Sequence, residues 1–379
     1  MKILLIGDAD SSWLKEYVDR VLADIDYDVK IVSYFNTVYE EEYKSKGIEV
    51  YSYATNNRLC NHFKRIIISK DIAKKIGEVD IVHVQYFERA LVRLNWRFLL
   101  QGKKKIMTLW GSDLLRVSKY ILLFNKIVFD KIDEITVMNA NMKGVIGKVF
   151  GDEIYQKTSV LDFGNPLYDT LDEVINSNSK KQCKQYWGID ENKWVIAVGY
   201  NAIREQQHLE MIEQILKLPT KVLEQVIVVL HFAYGKYSIE YLEIIKNKLL
   251  SGGIQFVLID KFLDKREMAI LRYAVDIFLY GQTTDALSGS VLEYVYAGAI
   301  LIKPNWLDYT ELYKRNIKYI EYNEFGEIPC LLQEVLNNIS DMKRENKGNR
   351  EQLRRMNSWE VLVPQWKEKY SLGDSNERE

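Results

Sequence analysis

Short unbroken apolar runs alternate along this chain with longer stretches in which apolar residues return every three or four positions. Lys2–Gly7 (KILLIG), Val29–Tyr34, Ile48–Tyr53, Asp80–Gln85 (DIVHVQ), Lys105–Leu109, Glu134–Met138 and Thr158–Leu161 are runs of the first kind. They read as strands buried on both faces, as in a parallel sheet. Trp13–Asp24, Phe63–Ile76, Leu91–Leu100 and Tyr120–Lys131 have helical spacing and lie between them. A second series starts at Trp194. Strands are predicted at Val195–Val198, Val226–His231, Ile254–Ile259, Asp276–Tyr280 and Ala299–Ile302. Helices are predicted at Gln207–Leu218, Ile239–Leu250, Lys265–Tyr273 and within Gln282–Pro304. Strand and helix alternating over short connections mean βαβ units.

The pattern predicts an α/β protein of two Rossmann-like, doubly wound domains facing a cleft, where the carboxyl ends of both sheets bind ligands. The expected bounds are 1–168 for the first domain, 169–192 (with the polar run NSNSKKQCKQ) for a linker and 193–357 for the second. Residues 358–372 (with SWEVLVPQWKEKY) are expected as one kinked or two short helices around Pro364, and 373–379 as a disordered tail. At 379 residues the chain suits two domains of about 150–200 residues each.

Composition narrows the picture by exclusion. With 47% hydrophobic and 28% charged residues the chain is that of a globular protein with full cores, and a net charge of −1 gives no global attraction to nucleic acid. Between Arg58 and Lys131, 16 Lys/Arg face 6 Asp/Glu, a patch suited to anionic lipid, phosphate or nucleic acid, or to a plain solvated face. Three cysteines and four histidines lack metal-ligand spacing, so no metal is expected and the thiols read as reduced. The chain starts on a core strand and no apolar run approaches the ~20 residues of a membrane span, so a cytoplasmic protein is expected.

The stretch richest in chemistry is QTTDALSGSVLEYVYAGAILIKP, Gln282–Pro304. Ser288, Gly289 and Ser290 form a small-residue turn opening a helix, where backbone N–H groups and the dipole favour an anion. Asp285 precedes the turn and Glu293 lies eight residues later, two carboxylates able to take sugar hydroxyls. Each has a plainer reading. Ser290-x-x-Glu293 is also a capping box, and Asp285 is also a turn residue. Asp8, Asp10 and Ser11 follow the first strand, and Ser112 and Asp113 follow Lys105–Leu109, so all five belong at a cleft edge. His83 and His231 read as core histidines.

The order of these motifs resembles the GT-B glycosyltransferases, specifically the retaining family 4 (glycosyltransferase group 1) of bacterial polysaccharide biosynthesis. VGYNAIREQQH (Val198–His208) resembles the family's strand–Gly–basic loop, and IDKFL (Ile259–Leu263) its base-recognition segment. WGSD (Trp110–Asp113) resembles an inner first-domain motif in which many members carry His at the Trp position. Asp285 and Glu293 resemble the family's acidic pair, with Asp where Glu is usual, and SWEVLVPQWKEKY its closing helix.

The resemblance implies a nucleotide-sugar donor, UDP-linked by default, in the second domain. Glu293 would hold the ribose. Ser288, Gly289, Ser290, Gly199 and Arg204 would face the diphosphate, with help from Tyr200, Asn201 and His208. Lys261, Phe262 and Leu263 would meet the base. Asp285, Asp113 and Arg204 are the implied catalytic residues, and Asp8, Asp10, Ser11 and Ser112 the acceptor contacts. The implied reaction is retaining and needs neither metal nor cofactor. The implied acceptor is a glycan, in the simplest form a lipid-linked intermediate of surface polysaccharide at the inner membrane face, and no nucleic-acid partner is expected. Two other readings stay open: a nucleotide-sugar epimerase or hydrolase on the same scaffold, and a non-catalytic sugar-nucleotide- or glycan-binding subunit.

Overall fold

The computed structural model describes residues 1–23, 26–52, 61–87, 96–233, 235 and 239–371, with the backbone alone for 61–64, 96, 119, 123 and 124. The chain divides into two compact units, residues 1–166 with 359–379 and residues 167–358.

The first unit holds β1 (Lys2–Gly7), β2 (Asp28–Ser33), β3 (Glu49–Ser52), β4 (Val79–Gln85), β5 (Gly102–Leu109), β6 (Glu134–Val137) and β7 (Thr158–Val160). Their order is β3-β2-β1-β4-β5-β6-β7 and every pairing is parallel. Leu5 lies between Ile31 and His83, which fixes the register at the centre. The order reverses between β1 and β4, so the first unit's ligand crevice belongs at their carboxyl ends.

The second unit holds β8 (Trp194–Val198), β9 (Val226–His231), β10 (Phe256–Ile259), β11 (Ile277–Leu279), β12 (Ile300–Pro304) and β13 (Ile320–Tyr322), in the all-parallel order β10-β9-β8-β11-β12-β13. Here the reversal falls between β8 and β11. Alternate residues feed two separate cores. Val195, Ala197, Val229, Phe278 and Leu301 face one, and Ile196, Val198, Val228, Ile277 and Ile302 the other. Cores on both faces are why these strands read as unbroken apolar runs rather than as alternation.

The structure corrects one expectation and fills in two others. The stretch 169–192 is not a linker: helices Tyr168–Ser177 and Lys180–Tyr186 cover it, and Leu171, Val174 and Cys183 are buried in the second unit's core. Of the two forms expected for the closing segment, it takes that of one helix, Trp359–Lys369, with Pro364 inside it. Residues 305–357, for which the pattern predicted no element, hold β13 and the helices Ile328–Glu345 and Asn349–Asn357. Of the helix expected at Leu91–Leu100, Trp96–Leu99 is helical. Residues 88–95, with Arg89 and Arg93, residues 53–60, with Arg58 and Cys60, and the tail 373–379 lie outside the described residues.

The closing helix belongs to the first unit's core. Trp366 is fully buried, donates from Nε1 to Asp162 O at 2.9 Å, and packs on Phe163 and edge-on to Tyr17. Burying one Trp of roughly 200 Å² contributes up to about 5 kcal/mol. Gly164 makes the approach of Trp359 possible, since a Cβ there would stand 2.2 Å from the indole. No helix among the described residues is long and apolar enough to cross a membrane.

Candidate functional site

In the second unit, the loop after β8 and the turn after β11 emerge at the sheet's reversal point. Gly199 opens the loop at φ +64°, and a Cβ there would lie 2.8 Å from His208 Nε2 and 2.9 Å from Gln206 Oε1. Only glycine meets both the left-handed backbone and the space. His208 is fully buried at the start of helix His208–Ile215, with Nδ1 3.2 Å from Tyr241 Oη. Burial lowers its pKa to about 3, so the ring is neutral. The side-chain amides of Gln206 and Gln282 are buried with no hydrogen-bond partner. Buried polar atoms are rarely left so, and here they gather where two sheet halves diverge. Neither glutamine was singled out in the sequence, because nothing local distinguishes a buried Gln from a solvated one.

The expected loop residues are less uniform in placement. Asn201 Oδ1 accepts from Ile203 N at 3.1 Å and braces the loop. Tyr200 stacks on Tyr280. Arg204 is exposed, its guanidinium 5.1 Å from the Tyr241 ring centroid. After β10, exposed Lys261 pairs with Glu267 at 2.6 Å and Leu263 is buried in the core. Phe262 between them is 81% exposed.

The helix Gly289–Tyr296 starts from Ser288, whose Oγ accepts from Ser290 N at 3.3 Å. The N-cap is therefore Ser288 and not Ser290, and no capping box forms. Glu293 Oε2 instead accepts from Arg272 Nε at 3.0 Å, with both side chains buried and the guanidinium 4.1 Å from the Tyr294 ring centroid. Arg272 Nη2 also reaches Ser290 Oγ at 3.4 Å. Sequence reading passed over Arg272. Its signal was a lone cation within the apolar run of AILRYAV, where burial requires a partner.

Asp285 was expected to hold donor sugar, but its carboxylate is taken up inside the turn. Oδ2 accepts from the hydroxyls of Tyr280 and Tyr309 and from Ser288 N, and Oδ1 accepts from Ala286 N. It shapes the turn, with Leu287 held at φ +70° beside it.

Asp113 in the first unit has the same fate. It is buried, and its carboxylate accepts from the backbone N–H groups of Phe87, Trp110 and Gly111 at 2.8–2.9 Å. Burial pushes its pKa up to about 6. Asp113 is the knot of the WGSD turn. Asp10 is exposed and accepts from Val38 N at 2.8 Å.

Asp8 and Ser11, by contrast, line a pocket of about 240 Å³ at the β1/β4 reversal, together with Tyr34, Gln85, Tyr86 and Trp110. Ser11 is the N-cap residue of helix Ser12–Val21 yet makes no side-chain cap bond. Burial raises the Asp8 pKa. Ser112 lies behind the pocket wall, its Oγ 3.1 Å from Tyr86 Oη. Tyr86 has φ +68°, a conformation costing a bulky residue about 1–3 kcal/mol and kept where surroundings demand it.

Two all-parallel α/β units with these crevices define the GT-B fold. Solved structures agree across almost the whole chain. A glycosyltransferase from Rickettsia africae superposes with a TM-score of 0.75 at 15% identity, covering 98% of this chain and 99% of that one. Anabaena HepE in complex with UDP and glucose gives 0.73 at 12% identity, covering 97% and 99%. The sucrose-phosphate synthase of Thermosynechococcus elongatus gives 0.74 at 12%, covering 98% of each. Residues 2–139 match the family model "Glycosyl transferase 4-like". No curated protein matches.

Proposed function

We infer that this chain is a glycosyltransferase that moves a sugar from a nucleotide sugar, UDP-linked by preference, to a glycan acceptor. The observation that carries this reading is the second unit's reversal point, where the Gly199 loop, with the unpartnered amide of Gln206 beside it, and the segment holding Gln282 and the Ser288–Ser290 turn leave the neighbouring strands β8 and β11. Neutral buried donors beside a helix N-terminus suit a diphosphate, which Arg204 would complete with charge. HepE, solved with UDP and with UDP-glucose, supports a uridine donor. Glu293, held by Arg272, takes the ribose hydroxyls, and exposed Phe262 stacks on the base. Asp285 and Asp113 are positioning residues.

In the retaining reaction the acceptor oxygen bonds to the anomeric carbon as the bond to the diphosphate oxygen breaks. The acceptor proton passes to that leaving oxygen, so no enzymic nucleophile is needed. Hydrogen-bond donors aimed at the leaving group stabilise the developing charge; metal independence follows if Arg204 and the turn suffice. A lipid-linked acceptor at an anionic membrane is favoured by exposed Ile67, Leu100, Tyr120 and Ile127 within the basic region 58–131.

Nucleotide release from a panel of UDP-, GDP- and dTDP-sugars, with and without membrane extract, tests this reading. Acceptor-dependent release is the expected result. Product without acceptor identifies an epimerase or hydrolase, and binding without turnover a scaffold subunit.

A further inference from the structure

The first unit's pocket is built more elaborately than a generic crevice requires. Trp110 Nε1 donates to Gln85 Oε1 at 3.2 Å. Indole N–H is a donor only, so this bond fixes which way the Gln85 amide points. Gln85 Nε2 therefore faces His83 Nε2, 3.2 Å away, and that nitrogen must accept. Thr108 Oγ1, at 2.6 Å, approaches the same nitrogen. The His83 proton consequently sits on Nδ1 and is donated to Tyr370 Oη at 2.6 Å, which in turn bonds to Tyr17 Oη at 2.8 Å. Burial keeps His83 neutral, with a pKa of about 3, which agrees with a single fixed tautomer. One directed chain of bonds thus runs from the closing helix through the core to the indole that forms the pocket wall. Tyr86 stands edge-on to that indole, ring centroids 6.3 Å apart, on the strained backbone already noted.

The geometry points to a seat for one pyranose ring, with a sugar face on Trp110, its hydroxyls on Asp8 and Ser11, and Gln85, His83 and Tyr370 as positioning residues for the indole. This deepens, and rests on, the reading of the first unit as the acceptor-binding half. Size agrees: a cavity of ~150 Å³ holds benzene, and about 240 Å³ adds room for ring substituents. Chemistry agrees as well. Sugar C–H groups carry partial positive charge toward the negative face of an aromatic ring, while a carboxylate and a serine hydroxyl not used as a helix cap supply convergent polar groups.

Saturation-transfer NMR with a panel of methyl α- and β-hexopyranosides on the full chain tests the proposal, with UDP affinity measured on the same samples. At least one hexoside is expected to bind through its ring protons. Its affinity should fall at least tenfold in Trp110→Ala, recover in part in Trp110→Phe, and fall several-fold in Tyr370→Phe, while UDP affinity stays unchanged. Tyr370→Phe removes one buried oxygen and keeps the ring, so it reports on the relay even if Trp110→Ala does not fold. Absence of any hexoside binding to the wild type, or binding equal in wild type and Trp110 variants, overturns the seat. Unchanged binding in Tyr370→Phe overturns the relay. Failure of every nucleotide to bind would instead sink the transferase reading and leave the hexoside result to judge the pocket alone.

Discussion

Arg272 donates from Nε to Glu293 Oε2 across 3.0 Å, and both side chains are buried in the second unit. The pair ties helix Lys265–Ala274 to helix Gly289–Tyr296 and aims the carboxylate. Removing one partner strands a buried charge, which typically costs about 3–5 kcal/mol, whereas removing both costs far less. Glu293→Ala should therefore lower stability by that amount, and Arg272→Met with Glu293→Met should restore most of it. Nucleotide affinity should be lost in both. Urea unfolding and calorimetric titration with UDP separate the effects, since a double variant regaining both stability and affinity would leave Glu293 a purely structural residue.

Phe262 lies at the other extreme, an aromatic ring with 81% of its surface in water. Phe262→Ala should leave the melting temperature within a degree or so. Base–aromatic stacking is worth about 1–3 kcal/mol, so affinity for UDP should drop by roughly tenfold. Equal UDP affinity in the variant would remove Phe262 from the donor site.

Gly199→Ala should cost about 2 kcal/mol, from a positive φ and a Cβ placed against His208 Nε2. Adding His208→Ala removes one close contact but leaves Gln206 Oε1 and the backbone strain. The double variant should therefore not return to the stability of His208→Ala alone, as thermal unfolding of the three variants would reveal.

Asp276 is fully buried and meets Lys180 at 3.1 Å, Lys184 at 2.8 Å and also Lys343. The lysines hold its carboxyl well below the usual carboxylate range despite its burial. Asp276→Asn leaves three ammonium groups facing one another and should destabilise the second unit by about 3–5 kcal/mol. For the wild type, a lowered carboxylate pKa gives stability that is present at neutral pH and lost as the pH falls below about 4.

Asp113 works in the opposite sense. Its carboxyl is raised to about 6 from an ordinary value near ~3.9, so the folded state binds the proton more tightly than the unfolded state does. Its contribution is fully present below about pH 4 and is lost as the pH rises through 6. Asp113→Asn should flatten the pH dependence of the melting temperature between pH 4 and 7, and a slope equal to that of the wild type would refute the assignment.

The strands were legible because parallel strands buried on both faces leave unbroken apolar runs, as in KILLIG and VIVVLH. The polar stretch 169–192 misled because its exposed residues outnumber Leu171, Val174 and Cys183, the few that anchor it. The loop opened at Gly199 and the helix-opening turn Ser288–Ser290 were legible as backbone features because backbone requirements are local. That Asp285 and Asp113 bond their own turns was not legible, because a carboxylate that does so has the same letter as one facing a ligand. Arg272 was missed because its partner lies 21 residues away on another helix.

The closing helix also sets an order of events during synthesis. Trp366 and Tyr370 complete a core whose other members come from residues 1–166, yet the whole of 167–358 is translated between them. The second unit is continuous and can fold as soon as it emerges, whereas the half made first must wait, its hydrophobic seam open, for the last turns of chain.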